Sequence, residues 1–226
     1  MMDEIKLIEI KEDIQADNDI VANELRDRLR KSQTLMINLM SSPGSGKTSL
    51  LLRTIGALQN EFKIGVIEAD IDSVVDSEKI AETGVPSVQL RTGGFCHLDA
   101  TMVTKGLDGL DNPGLDLVFI ENVGNLVCPA EFDTGAIKDA MILSVPEGDD
   151  KPLKYPLMFS KANVLIVNKI DYMSLSDFNM DRLKSHVNRL NPDIDLFEVS
   201  CKTGDGISGW VDWLRQTFSD FKNNAG

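Results

Sequence analysis

Histidine and cysteine are scarce in this chain, with two His and three Cys among 226 residues. Three is an odd number and too few for a disulfide framework, so covalent staples do not hold this fold together. Each cysteine is left with burial or metal binding. Basic residues are also in deficit: 23 Lys and Arg against 36 Asp and Glu, a net charge of −13. A nucleic acid needs a basic face for its phosphates, so it is excluded as the main partner. No apolar run approaches the roughly 20 residues of a membrane span. The opening Met1-Met2-Asp3-Glu4 is acidic, unlike a signal peptide. These absences predict a cytoplasmic protein without a membrane partner. No internal repeat, low-complexity tract or linker is visible. What the chain does have is 42% hydrophobic residues, which suits one globular α/β domain with a sizeable core.

Strand and helix signals alternate. Residues 14–31 read as an N-terminal helix with Ile14, Val21, Leu25 and Leu29 on a stripe, so residues 1–33 are an extension packed on a domain of residues 34–226. Apolar runs at 35–40, 63–68, 87–90, 115–120, 140–145, 162–167 and 196–199 read as strands. Residues 49–55, 74–82, 98–107, 177–190 and 209–221 read as helices, the last turning Trp210, Trp213 and Leu214 inward. This order predicts a mostly parallel sheet with helices on both faces, and ligands at the strand carboxyl ends.

The first chemistry lies between strand 35–40 and the next helix. Ser41-Ser42-Pro43-Gly44-Ser45-Gly46-Lys47-Thr48 is a phosphate-binding loop in the context that gives the pattern meaning. Backbone N–H groups and the helix dipole make an anion cradle of Gly44, Ser45, Gly46, Lys47, Thr48 and Ser49. Lys47 reaches the β- and γ-phosphates, and the Thr48 hydroxyl ligates Mg²⁺. Ser41 stands where the pattern has its first glycine, a turn that a small residue can make. Glu121, at the end of an apolar strand, occupies the Walker-B position, and Asp70 or Asp72 is the candidate switch carboxylate for Mg²⁺. Lys47, Thr48, Asp70 and Glu121 are thus the candidates for acting on the triphosphate. No water-positioning Gln or arginine finger is evident, so phosphoryl transfer is expected to be slow.

A second loop names the base. Strand 162–167 runs into Asn168-Lys169-Ile170-Asp171. An Asp carboxylate there accepts from guanine N1–H and the 2-amino group together, a donor pair that adenine lacks. Asn168 braces the loop and accepts from the purine edge, and the Lys169 stem covers the face of the base. Strand 196–199 ends in Ser200-Cys201-Lys202, similar to the loop whose backbone N–H meets guanine O6 in GTPases. Cys201 is expected to pack beside the base. GTP is therefore the expected nucleotide.

Two further strand ends carry Cys96-His97-Leu98-Asp99 and Asn125-Leu126-Val127-Cys128-Pro129. Two thiolates and an imidazole suit a borderline cation such as Ni²⁺ or Zn²⁺. Three ligands fall short of a closed tetrahedral shell, and two copies about a two-fold axis supply six, enough for one shared site or a pair. Adjacent Cys and His seldom point the same way unless the backbone turns. The competing reading makes Cys128 a small buried hydrophobe and Cys96-His97 a helix start. His186 reads as a surface residue of helix 177–190, and residues 151–159 as a dimer contact or as cover for the core.

In this order, the segments 42–48, 96–100, 121–130, 147–156 and 168–171 closely resemble the hydrogenase nickel-incorporation GTPases, the HypB family. The resemblance runs from about residue 14 to the C-terminus, and segments 96–100 and 121–130 carry its specificity. It implies a GTP-hydrolysing accessory protein that helps deliver Ni²⁺ to [NiFe]-hydrogenase. It also implies a GTP-promoted homodimer with Ni²⁺, or Zn²⁺ in its place, held by Cys96, His97 and Cys128 at the subunit interface. The implied partners are other hydrogenase maturation proteins and the hydrogenase large-subunit precursor. Some relatives carry an N-terminal Cys cluster or His-rich stretch; here no Cys or His precedes Cys96.

Overall fold

A computed structural model describes residues 10–70 and 75–224. The elements in chain order are α1 (Ile10–Ser32), β1 (Leu35–Ser41), α2 (Lys47–Leu58), β2 (Ile64–Asp70), α3 (Val75–Ala81), β3 (Ser87–Arg91), α4 (Ala100–Gly109), β4 (Leu117–Glu121), α5 (Cys128–Glu131), β5 (Lys138–Ser144), α6 (Lys151–Lys154), α7 (Pro156–Lys161), β6 (Val164–Asn168), α8 (Met180–Leu190), β7 (Asp195–Glu198) and α9 (Ile207–Asn224). The strands form one seven-stranded sheet in the order β3-β2-β4-β1-β5-β6-β7, and every neighbouring pair is parallel. Expected position 74 of α3, Asp72 and the side chains of Ile14 and Asp70 lie outside the described residues.

The strand runs are apolar throughout because both faces are covered. In β1, Leu35, Ile37 and Leu39 face α2 and α9, where Leu51, Ile55, Trp210 and Leu214 bury against them. Met36 points the other way, into a cluster with Leu25 and Leu29 of α1 and Val103 of α4. Met40 joins Met158 and Phe159 of α7 and Leu183 of α8. Helix α1 is therefore part of the core through its buried stripe. Trp213, at the border of that core, stacks on Trp210 with centroids 5.3 Å apart and donates to Asp195 Oδ2.

Two expectations are refined. His186 is half-buried rather than on the surface, with Nδ1 enclosed near Asp149, because α8 is flanked by the segment around Asp149 and α6. Segment 151–159 divides: Met158 and Phe159 are core, whereas Leu153 and Leu157 stay exposed. Among the described residues, no helix is long and apolar enough to cross a membrane.

Candidate functional site

The loops at the carboxyl ends of β1, β2, β4 and β6 surround a cavity of about 530 Å³. Gly46 opens α2 at φ +104°, and a Cβ there would lie 2.4 Å from Asn168 Nδ2, so sterics and conformation both demand glycine. The α2 N-terminus carries no side-chain cap, which leaves its first backbone N–H groups directed at the cavity. Lys47 Nζ donates to Ser41 Oγ at 2.9 Å, so the residue standing at the first-glycine position holds the candidate phosphate lysine. Thr48 donates to Glu121 Oε1 at 2.6 Å. Lys47, Thr48, Ser49 and Glu121 all line the cavity.

Three cavity residues had escaped the sequence reading. Glu68 of β2 is buried and stands opposite Glu121 in the β2–β4 register. An acid inside an otherwise apolar strand was the available signal. Asn122 follows Glu121 in the same wall, and Lys79 of α3 adds a positive charge there.

The guanine-loop candidates converge. Asn168 is buried, donates to Ser45 O at 2.9 Å and accepts from Lys169 N and Cys201 N. Both ends of its amide thus brace β6 against the phosphate loop and the 200–204 loop, which leaves Asp171 as the candidate for reading a base. Lys169 adopts a left-handed backbone at φ 63° and extends to Gly44 O at 2.7 Å, carrying its stem along one wall. Asp171 Oδ1 accepts from Ser200 Oγ at 2.6 Å, which fixes the carboxylate. Arg53 donates to the carbonyls of Cys201 and Lys202 and so secures that loop. Burial pushes the Cys201 thiol up to about 11, in keeping with a packed, neutral side chain.

Cys96, His97 and Cys128 meet at a second place, with ligand atoms all within 4.8 Å of one another. Cys96 Sγ is 2.9 Å from Cys128 Sγ and 3.9 Å from His97 Nδ1. The turn at Gly93 and Gly94, both at positive φ, swings the Cys-His pair so that neighbours in sequence face one point. The His97 ring stacks on Phe132, with centroids 3.9 Å apart and planes 16° apart. Burial lowers the His97 pKa and keeps the imidazole neutral, the form that binds metal. The Cys96 thiol beside Cys128 raises the pKa of the latter, so a cation entering there must displace a thiol proton. The Cys128 arm begins at Glu121 and Asn122 in the nucleotide cavity wall.

Residues 35–198 match the family described as CobW/HypB/UreG, nucleotide-binding domain. The hydrogenase maturation factor HypB of Azotobacter vinelandii is 46% identical over 93% of this chain and 70% of its own length. The hydrogenase/urease maturation factor HypB of Helicobacter hepaticus is 42% identical over 93% of this chain and 88% of its own. HypB of Helicobacter pylori, solved in complex with nickel, superposes with a TM-score of 0.85 at 36% identity, covering 90% of this chain and 96% of that one. With this fold, these loops and this degree of identity, the chain belongs to the HypB hydrogenase maturation factors of the CobW/HypB/UreG nucleotide-binding family.

Proposed function

We propose that this chain is a GTP-hydrolysing metallochaperone that carries Ni²⁺ on Cys96, His97 and Cys128 and helps insert it into [NiFe]-hydrogenase. The observation that carries the reading is the convergence of three soft or borderline ligands from two loops, one of which starts in the nucleotide cavity. The nickel complex of the Helicobacter pylori relative supports Ni²⁺ as the cargo. The same ligand set accepts Zn²⁺. The Helicobacter hepaticus relative, described for hydrogenase and urease together, favours nickel whichever enzyme receives it. Other maturation proteins and the hydrogenase large-subunit precursor are the partners this reading names, and the cytoplasm is its compartment.

The nucleotide half follows from the cavity. Asp171 pairs with guanine N1–H and the 2-amino group. Lys47 and the α2 N–H groups hold the β- and γ-phosphates of GTP. Thr48 and Glu121 offer hard oxygens 2.6 Å apart beside Lys47, a donor set that fits Mg²⁺, which supplies charge neutralisation on the triphosphate. Asp70 and Asp72 remain the candidate switch carboxylates for that ion. Among the described residues lining the cavity there is no arginine, which supports slow GTP hydrolysis to GDP and phosphate. Three ligands per chain leave a metal shell open, and a two-fold homodimer promoted by GTP is the simplest closure.

The test is a Ni²⁺ titration of the unmodified protein against the Cys96→Ala, Cys128→Ala double variant. Stoichiometric Ni²⁺ binding is expected to disappear while GTP affinity persists, since neither thiol meets phosphate. Unchanged metal binding in the double variant removes the site.

A further inference from the structure

The two metal arms leave β3 and β4, which are not neighbours; β2 lies between them. No direct pairing of β3 with β4 therefore sets the distance from Cys96 and His97 to Cys128. Asn125 Nδ2 of the second arm reaches Cys96 O at 3.4 Å, and among the described residues one side chain outside both arms bonds to each. Asn18 of α1 is 8% exposed, and its Oδ1 accepts from Ala100 N at 2.9 Å while its Nδ2 donates to Asp133 O at 2.8 Å. Ala100 opens α4 three residues after His97, and Asp133 follows Phe132, the ring on which His97 stacks. Helix α1 also holds the second arm elsewhere: Gln15 Nε2 donates to Glu131 O, Arg26 Nη2 lies 2.7 Å from Asp133 Oδ2, and Arg26 Nε donates to Ala136 O.

We propose that Asn18 is a positioning residue for the metal site, one carboxamide that ties the Cys96-His97 arm to the Cys128-Phe132 arm. The inference rests on the reading of Cys96, His97 and Cys128 as the Ni²⁺ ligands. Its physical basis is preorganisation. A buried amide satisfied at both ends is costly to disturb. Without it, the apo arms must be ordered by the cation itself, at the expense of affinity. Groups that orient metal ligands from outside the coordination shell commonly change metal affinity by about 10- to 100-fold when removed. The first turn of α4 would lose an acceptor for an N–H that has no partner within the helix. The N-terminal helix thereby becomes part of the metal site although it supplies no ligand.

The experiment uses the full chain and Ni²⁺ alone, read by thiolate-to-nickel charge-transfer absorption. Asn18→Ala removes both bonds. Asn18→Ser keeps a hydroxyl too short to span both arms and guards against misfolding. Thr34→Val is the stability control, because it removes a buried hydrogen bond to Leu115 O at the amino ends of β1 and β4, the opposite strand ends from the arms. Both Asn18 variants are expected to weaken Ni²⁺ about 10-fold or more, to reach the unmodified charge-transfer intensity at saturation, and to bind GTP as before. The proposal is overturned if the Asn18 variants bind Ni²⁺ like the unmodified protein. It is equally overturned if Thr34→Val, at a matched loss of melting temperature, weakens Ni²⁺ as much. Cys128→Ala separates the two levels: retained Ni²⁺ affinity there defeats the ligand assignment itself, whereas its loss alongside normal Asn18 variants defeats only the tie.

Discussion

In the proposed function one carboxylate, Asp171, selects the nucleotide. Ser200 Oγ holds it at 2.6 Å, so the carboxylate is oriented before any base arrives. Asp171→Asn should weaken GTP by about 100-fold, the scale of two charge-assisted hydrogen bonds, and should favour xanthosine triphosphate, whose C2 carbonyl accepts from the amide. Competition binding with GTP, xanthosine triphosphate and ATP reads this out, and equal competition by ATP in the unmodified protein contradicts it. Lys47→Ala should abolish tight triphosphate binding, measurable by calorimetry, because the β- and γ-phosphates lose their cation. Asp139 makes a different kind of statement. Asn122 donates to Asn38 Oδ1 at 3.1 Å, and Asn38 donates to Asp139 Oδ1 at 2.8 Å, a polar chain across β4, β1 and β5. Burial pushes the Asp139 carboxyl up to about 6 from an ordinary 3.8, with the Asn38 bond opposing it. The folded state therefore holds this proton more tightly, and the associated stability is full below about pH 4 and lost as pH rises through about 6. Asp139→Asn should raise stability near neutral pH by about 2 kcal/mol, with the gain vanishing toward about pH 4. Thermal melts of both proteins across that range check it; parallel curves rule it out.

At the scale of elements, the strands were legible because a sheet buried on both faces writes itself as unbroken apolar runs. All seven expected runs became strands, and the phosphate and guanine loops fell at their carboxyl ends. The metal arms were legible as residue types but not as geometry. Nothing in the spacing of Cys96, His97 and Cys128 says that the Gly93-Gly94 turn and the Phe132 ring bring a Cys-His neighbour pair to one point. Glu68 and the roles of Asn18 and Asn122 were hidden for a related reason: single polar residues in apolar or helical runs acquire meaning only from partners far away in sequence. His186 was read as surface because α8 has a polar majority, yet α8 packs one side against the segment that carries Asp149. The junction of α2 and α9 offers an element-scale prediction. Trp210 Nε1 donates to Thr54 Oγ1 at 2.9 Å, and both residues are buried. Thr54→Val leaves the indole N–H without its acceptor and should cost about 1–3 kcal/mol, lowering the melting temperature while leaving Ni²⁺ affinity unchanged. A melting temperature equal to that of the unmodified protein contradicts this assignment.

Across the whole molecule, the nucleotide cavity and the metal-ligand cluster share a wall. Glu121 and Asn122 line the nucleotide cavity, and the loop they begin ends in Cys128. If the triphosphate orders that loop in its metal-binding form, linkage makes GTP and Ni²⁺ favour one another to the same extent, with couplings typically of about 1–3 kcal/mol, or roughly 5- to 150-fold. A dimer that completes the shell of a three-ligand site would join assembly to the same equilibrium. The most direct measurement is a Ni²⁺ titration followed by sedimentation velocity, with and without a non-hydrolysable GTP analogue. The analogue is expected to tighten Ni²⁺ binding, Ni²⁺ to shift the GTP-analogue complex toward dimer, and Cys128→Ala to abolish both effects while the analogue still binds. Identical Ni²⁺ affinity and identical sedimentation with and without the analogue would contradict this coupling.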